Sequence, residues 1–292
     1  MTLTGPDKRR RSFSRSTRFC VVVALALLVT VVVGDQPEPQ SANRERSSLE
    51  KHDSFTFVRV RYDSTGGYGE SWYRYEGRDW QRWETDYPQA EENLLFRLKQ
   101  LTSLEVNPKP ITLRLTDKEL PDYPFIFMSD IGWQKLSIAE KKGLANYLAR
   151  GGFLWVDDFW GDAELKSLYR NMDGLHPKWK WKPIKSSHPI LSIVYELEEC
   201  PKIPARIFFA QSGLTFDPPK VHRYPSGGFR GMQGVNFLGL FDDDGKLMAV
   251  ATHNTDVADG WEREGESKEF FDRFSVSSYA VTINILTYAM TH

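Results

Sequence analysis

Apolar and polar residues alternate over residues 55–62 (FTFVRVRY), as a strand should. Residues 66–83, rich in glycine and aromatic side chains without a regular period, read as a long loop. Over residues 88–102 the spacing predicts a helix, with Leu94, Leu95, Leu98 and Leu101 on one face. A short strand is expected at 111–115, and the continuous apolar run 125–128 suits a strand covered on both faces. Ser137 and Glu140 have the S-x-x-E spacing of a capping box and open a helix carrying Leu144, Tyr147 and Leu148, which Gly151 and Gly152 stop. The next buried strand, 153–156, leads straight into Asp157-Asp158-Phe159-Trp160-Gly161, and a helix over 163–169 follows.

Strand and helix therefore alternate as in a doubly wound α/β fold: a parallel sheet with helices on both faces. The second half is richer in strands, with 206–210, 237–241 and 247–252 read as extended. Asp242-Asp243-Asp244-Gly245 joins the last two as a hairpin turn. Residues 276–290 return to helical spacing through Val276, Ala280, Ile283 and Leu286. No repeat or low-complexity break interrupts 55–292, which predicts one α/β domain there.

Charge changes the picture at the N-terminus. The chain of 292 residues is balanced, with 38 Lys and Arg against 39 Asp and Glu, but six of the bases and one acid lie in residues 1–34. The remainder carries a net −6 and shows no basic cluster, which argues against nucleic-acid binding. The basic start precedes an uncharged run at 19–33, about 22 Å long as a helix and shorter than a ~30 Å hydrocarbon core. Residues 1–34 thus read as a signal peptide cleaved after Gly34 or, uncleaved, as a single membrane anchor with the bulk outside. Arg10-Arg11-Ser12-Phe13 matches the core of a twin-arginine signal, though adjacent arginines are common in such leaders. Residues 35–54 are polar, with two prolines, and read as a flexible linker. Of the two cysteines, Cys20 sits in the apolar run and Cys200 stands alone, so no internal disulfide survives cleavage.

Candidate chemistry gathers after the buried strands, where an open α/β sheet binds ligands. Asp157 and Asp158 could hold a divalent metal or act as acid and base; alternatively one caps the following helix and the other accepts loop amides. Asp130, after the neighbouring strand and beside Trp133, adds a third carboxylate or serves its own turn. His253, Asn254, Asp256, Trp261 and Glu262 combine a nitrogen ligand, carboxylates and aromatic faces, a set that suits a cation or a sugar and equally a solvated loop. Trp160, together with Trp72, Trp80 and Trp83 of the aromatic loop, could stack on glycans, or half of these rings cover the sheet edge. No G-x-S-x-G, Walker lysine loop, G-x-G-x-x-G or C-x-x-C occurs, and no other cofactor is indicated.

Several segments together resemble domain-of-unknown-function family 4159, a bacterial family. They are residues 57–62 and 123–128, the segment 148–158 with its paired glycines and paired aspartates, His188-Pro189, Asp256 with Gly260-Trp261-Glu262, and the ending 284–291. The resemblance implies a flavodoxin-like sheet similar to class I glutamine amidotransferases, in some relatives an association with membrane-anchored envelope proteins, and no established activity. Where those amidotransferases carry a nucleophilic cysteine after a strand, this sequence has Asp157-Asp158. A carboxylate does not replace a thiolate in that chemistry.

The expected function is a non-catalytic module of the cell envelope, exported or tethered, that binds a glycan or partner protein around Asp130, Asp157, Asp158 and the Trp-rich loop. The alternatives are a metal-assisted hydrolase of carbohydrate, with Asp157 and Asp158 on the cation and Asp256 or His253 assisting, and a purely structural assembly domain.

Overall fold

The computed structural model describes residues 54–172, 174–215 and 234–292; the predicted leader and the linker through residue 53 lie outside them. Among the described residues no helix is long and apolar enough to cross a membrane. The strands are β1 (Val58–Val60), β2 (Trp72–Tyr75), β3 (Arg78–Gln81), β4 (Ile111–Leu113), β5 (Phe125–Ser129), β6 (Phe153–Phe159), β7 (Lys180–Pro183), β8 (Asn236–Phe241) and β9 (Leu247–His253). The helices are α1 (Gln89–Leu101), α2 (Ile138–Ala149), α3 (Gly161–Met172), α4 (Arg206–Ser212), α5 (Asp259–Glu262), α6 (Lys268–Phe270) and α7 (Val276–Thr291).

Seven strands form one mostly parallel sheet in the order β4-β1-β5-β6-β9-β8-β7, and β2 pairs with β3 in a separate hairpin. β1, β4, β5, β6 and β9 run parallel, while β8 is antiparallel to both β9 and β7. Side chains alternate across the central strands into two cores. Phe57, Phe125, Phe127, Phe153 and Trp155 pack under α1 and α7, whereas Val58, Val60, Ile126, Met128, Leu154 and Val156 pack under α2 and α3. Because helices cover both faces, β5 and β6 are buried along their whole length.

Local signals explain most of these boundaries. The Ser137 hydroxyl accepts from the Glu140 amide at 3.2 Å and the Glu140 carboxylate accepts from the Ser137 amide at 2.9 Å, which completes the capping box of α2. Gly151, at φ +94°, ends the same segment in a conformation that disfavours side chains. At the tip between β8 and β9, Asp242 Oδ1 accepts from the Asp244 and Lys246 amides and closes the expected hairpin turn.

Three expectations need correction. The loop expected over 66–83 contains the β2–β3 hairpin, closed by Glu76 and Gly77, both at positive φ as a two-residue turn demands. Residues 206–210, read as extended, open α4: the Asp259 carboxylate accepts the Arg206 amide, and Gly213 at φ +70° ends the helix. β6 does not stop at Val156 but runs through both aspartates to Phe159. The strand expected within 55–62 is present as β1, and because it lies between β4 and β5 even Arg59 is fully enclosed.

Arg59 is held by Glu91 of α1, with Nε 2.6 Å and Nη2 2.5 Å from Oε1, and by the Thr85 carbonyl at 2.9 Å. Burial raises the Glu91 pKa and Arg59 opposes that rise. Removing the carboxylate alone strands a guanidinium that cannot shed its proton. Glu91→Leu is expected to cost about 3–5 kcal/mol in urea unfolding, and Arg59→Met/Glu91→Leu clearly less. Equal losses in the two variants would rule out the charge argument.

Candidate functional site

From β1 the chain passes to β4 on one side, and β5 then returns to the other, so the strand order reverses between β1 and β5. In parallel sheets, ligands sit in the crevice beyond the strand C-termini at such a reversal. Tyr62, just past β1, bridges it: its hydroxyl lies 2.6 Å from the Ser129 carbonyl and 2.7 Å from that of Asp130. Asp130 in turn holds the hairpin to the sheet. Its Oδ2 accepts from Arg82 Nη1 and from the Thr85 hydroxyl, each at 3.0 Å, while the remaining Arg82 nitrogens bond the carbonyls of Gly69 and Glu70.

The next carboxylates come from an irregularity in β6. Val156 stands opposite Ala251 and Phe159 opposite His253, so three steps along β6 match two along β9. The extra residue makes a bulge, and Asp158 in it takes φ +51°. Asp158 Oδ1 accepts from Trp160 Nε1 at 2.9 Å. Beyond β9, Asp256 uses one oxygen to accept the Asp259 amide at 3.0 Å, at the start of α5. Asp86, at φ +66° in the loop before α1, completes a trio: one oxygen from each of Asp86, Asp158 and Asp256 lies within 4.8 Å of the others. Asp86, Asp259 and Glu262 form a second such group.

Beside these acids opens a pocket of about 750 Å³, lined by Tyr73, Tyr75, Trp80 and Tyr87 together with Asp256, Asp259, Glu262 and Arg263. Like charge and burial act together on the acids. Burial raises the Asp256 pKa well above the usual carboxylate range, and Asp158, Asp259 and Asp86 push it further the same way. Glu262 is pushed up to about 10 by burial and then by Asp86 and Asp259. Arg263 gives partial relief, 2.5 Å from Glu262 and 3.8 Å from Asp259.

The sequence profile of a family described as Domain of unknown function (DUF4159) matches residues 56–290. The chain belongs to that family. Comparison with the curated proteins finds no match. The DUF4159 match spans every element that builds the pocket, from β1 to α7.

Within this DUF4159 chain the residues singled out from sequence divide into three groups. Asp256, Glu262 and Trp80 line the pocket, Asp158 groups with Asp256 and Asp86 behind it, and Asp130 supports it through Arg82 and Thr85. Asp157, His253, Asn254, Trp160 and Trp261 are internal braces. Asp157 is fully buried with both oxygens engaged: Oδ1 accepts from the Thr252 hydroxyl at 2.5 Å and Oδ2 from the Ala258 amide at 2.9 Å. Burial raises its pKa to about 7 against those two bonds. Asn254, at φ +64°, accepts the Gly161 amide, and Trp261 is sealed in the core with its Nε1 on Thr282. Trp72, Trp83 and Trp133 stand apart from the pocket wall. Trp72 packs edge-on to Tyr68, Trp83 tilts against Tyr87, and Trp133 borders a small cleft with Glu164.

Sequence reasoning missed Asp86 altogether and did not single out Tyr87 or Arg263. The only local sign of Asp86 is a turn-forming residue before Tyr87-Pro88, and its partner Asp158 belongs to a different strand.

His253 is a neutral brace. Its Nδ1 faces the Asn236 amide nitrogen at 2.8 Å, a donor, so its Nε2 carries the hydrogen and donates to the Gly161 carbonyl at 3.0 Å. Burial lowers its pKa to about 4. The unfolded chain, with His near 6.5, therefore binds the extra proton first as pH falls. This contribution to stability is intact above about pH 6.5 and is lost progressively towards pH 4, to the extent of ~3 kcal/mol. Unfolding free energies of wild type and His253→Gln measured across that window should diverge in slope, with the variant flatter; parallel curves would contradict a neutral buried His253.

Proposed function

We propose that this domain is an exported or membrane-tethered ligand-binding module of the cell envelope, with a flavodoxin-like, class I glutamine amidotransferase-like fold but without amidotransferase chemistry. The strand order supports the fold reading. Taken in chain order, the five parallel strands β1, β4, β5, β6 and β9 are arranged 2-1-3-4-5, the flavodoxin-like sequence. The one cysteine among the described residues, Cys200, is buried, and burial pushes its thiol pKa well up, the opposite of an activated nucleophile.

The observation that carries the binding reading is the pocket itself. Its volume falls in the range of small-molecule sites, and its lining combines aromatic rings with carboxylates. Aromatic faces stack on sugar rings while carboxylates accept their hydroxyls, so a saccharide of the envelope fits this lining better than a flat protein surface does. Backbone strain supports the same place. Of the five non-glycine residues at positive φ among the described ones, Glu76 and Asp86 line the pocket, Asp130 bonds Arg82 of its lining and Asp158 groups with Asp86 and Asp256, while Asn254 bonds the Gly161 amide. Left-handed non-glycine residues cost on the order of 1–3 kcal/mol each and concentrate at functional sites.

One feature favours the hydrolase reading: burial, Asp86 and Asp259 push the Glu262 pKa up against the opposing Arg263, which favours a protonated carboxyl at the pocket that could donate to a leaving group. The two readings separate on turnover. Full-length protein screened against envelope saccharides by thermal shift should yield a ligand that raises the melting temperature and is recovered unchanged. Trp80→Ala should weaken it about tenfold, and Ala205→Trp, which fills the pocket, should abolish binding. Hydrolysis of that saccharide, lost in Glu262→Gln, would replace this reading with the hydrolase; no saccharide shift at all would remove it.

A further inference from the structure

We propose that the β2–β3 hairpin is a lid of the pocket: it pivots on Arg82, flexes through the glycine-rich segment 66–69 and closes towards Arg263. The inference rests on the reading of this pocket as a ligand site and assigns the element whose movement admits the ligand.

Burial separates the hairpin from the body of the domain. No residue from 63 to 81 is buried, whereas Arg82 and Thr85, just after it, are only 4% and 6% exposed. β2 and β3 pair with each other, join no other sheet and make only slight contact with any other strand or helix. Moving them exposes little apolar surface, and segments of that kind open locally at a fraction of the global unfolding free energy. Their aromatic side chains stay out of the hydrophobic core. Tyr68, Tyr73, Tyr75 and Trp80 line the pocket instead, so the rings that would meet a ligand travel with the hairpin.

Both legs are fixed where they leave the sheet. On the first, Ser64 pairs with Gln134 in an isolated β-bridge and the Thr65 amide donates to the Trp133 carbonyl at 3.0 Å. On the second, Arg82 donates to Asp130 and, through its other nitrogens, to the Gly69 and Glu70 carbonyls, which makes one guanidinium the pivot. Between the first anchor and β2 lies the run Gly66, Gly67, Tyr68, Gly69. Gly67 has no left-handed φ, and a Cβ there would meet nothing within 4 Å, so the closed arrangement gives no reason for glycine at that position. A hinge gives one, because the added backbone freedom is used only when the chain takes a second arrangement.

Towards its tip the hairpin meets the residue that follows α5. Tyr75 lies close enough to Arg263 for the two side chains to interact, and both line the pocket, so the contact joins two parts of its lining. Arg263 is itself held by Glu262 at 2.5 Å and by Glu266 at 2.8 Å. The hairpin is thus tied to buried charge at its root and rests on a partly exposed charge near its tip. Opening at the tip breaks one polar contact, while opening at the root would strand Asp130 and Arg82 without partners.

The test is amide hydrogen exchange followed by mass spectrometry on the full-length protein without ligand, with Gly67→Ala and Tyr75→Phe in parallel. Amides of β2 and β3 are expected to exchange about 100-fold or more faster than those of β5 and β6, yet about tenfold or more slower than in an unstructured chain. Gly67→Ala should slow the hairpin about two- to fivefold by restricting the open arrangement. Tyr75→Phe should quicken it about threefold by removing the hydroxyl beside Arg263. Neither variant should alter exchange in β5 and β6, and both should melt within about 2 °C of wild type, since residues 63–81 are not buried. Hairpin amides as slow as those of β5 and β6 would mean a fixed part of the body and overturn the inference. So would exchange at the rate of an unstructured chain, which leaves no closed state, and so would equal hairpin exchange in all three proteins. If one variant fails to fold, the other carries the comparison. Because the measurement needs no ligand, a fixed hairpin refutes the lid while sparing the pocket reading; a saccharide screen without a single shift removes that reading while leaving the measured opening in place.

Discussion

A guanidinium sealed from water must be matched on all sides, and much of this architecture follows from how Arg59 is matched. Its charge sits on the aromatic face of the sheet, 4.9 Å from the Phe127 ring, where a strand of this composition would ordinarily carry an apolar residue. Glu91 neutralises it from α1, and the carbonyls of Trp83 and Thr85 accept from its Nη1. One side chain thus fixes the helix to the sheet and sets the path of the chain into Asp86. The residue before the left-handed Asp86, Thr85, is thereby anchored to buried charge, and the ring of Tyr87 after it lies 5.9 Å from the same guanidinium.

The same logic recurs one strand over. Arg82 is the second buried guanidinium, matched by Asp130 and by two carbonyls of the hairpin approach. The hairpin has little apolar burial of its own, since β2 and β3 are half-exposed or exposed throughout. Its attachment is electrostatic, and the aromatic lining of the pocket depends on it. Asp157 in turn ties β6 to Thr252 of β9 and to the backbone at Ala258, so the bulge that presents Asp158 is braced from behind. Paired aspartates after a strand therefore divide the work, one holding the backbone and the other facing the acid group.

Legibility in the sequence followed the range of the determining interaction. The apolar runs of β5 and β6, the capping box of α2 and the turn between β8 and β9 are set by residues within a few positions of one another, and they were readable. The hairpin was not, because its alternation is aromatic against charged with neither face deeply buried. Nor was β7, an edge strand with two lysines and a proline that lacks the apolar signature of its neighbours. α4 reads as β-prone from Ile207, Phe208 and Phe209, yet it is capped by Asp259, far along the chain. At the site, residue type pointed to Asp256 and Glu262, which line the pocket, and to Asp158, which groups with Asp256, but equally to Trp261 and His253, which the core absorbs. Type alone does not distinguish a polar group facing a ligand from one satisfying a buried backbone.

What sets the pocket apart from these braces is the sign of its imbalance. Arg59 and Arg82 are each surrounded by matching acceptors, and Asp157 by matching donors, so those charges stabilise the fold as it stands. Asp256 is surrounded by charge of its own sign. Such an arrangement lowers the stability of the isolated domain, and anything that compensates the charge binds the folded state alone, because only folding brings residues 86, 158 and 256 together. Ligand affinity and fold stability are therefore linked at this point of the structure, and the strain at Asp86 and Asp158 is where the sequence departs from the arrangement that stability alone would select.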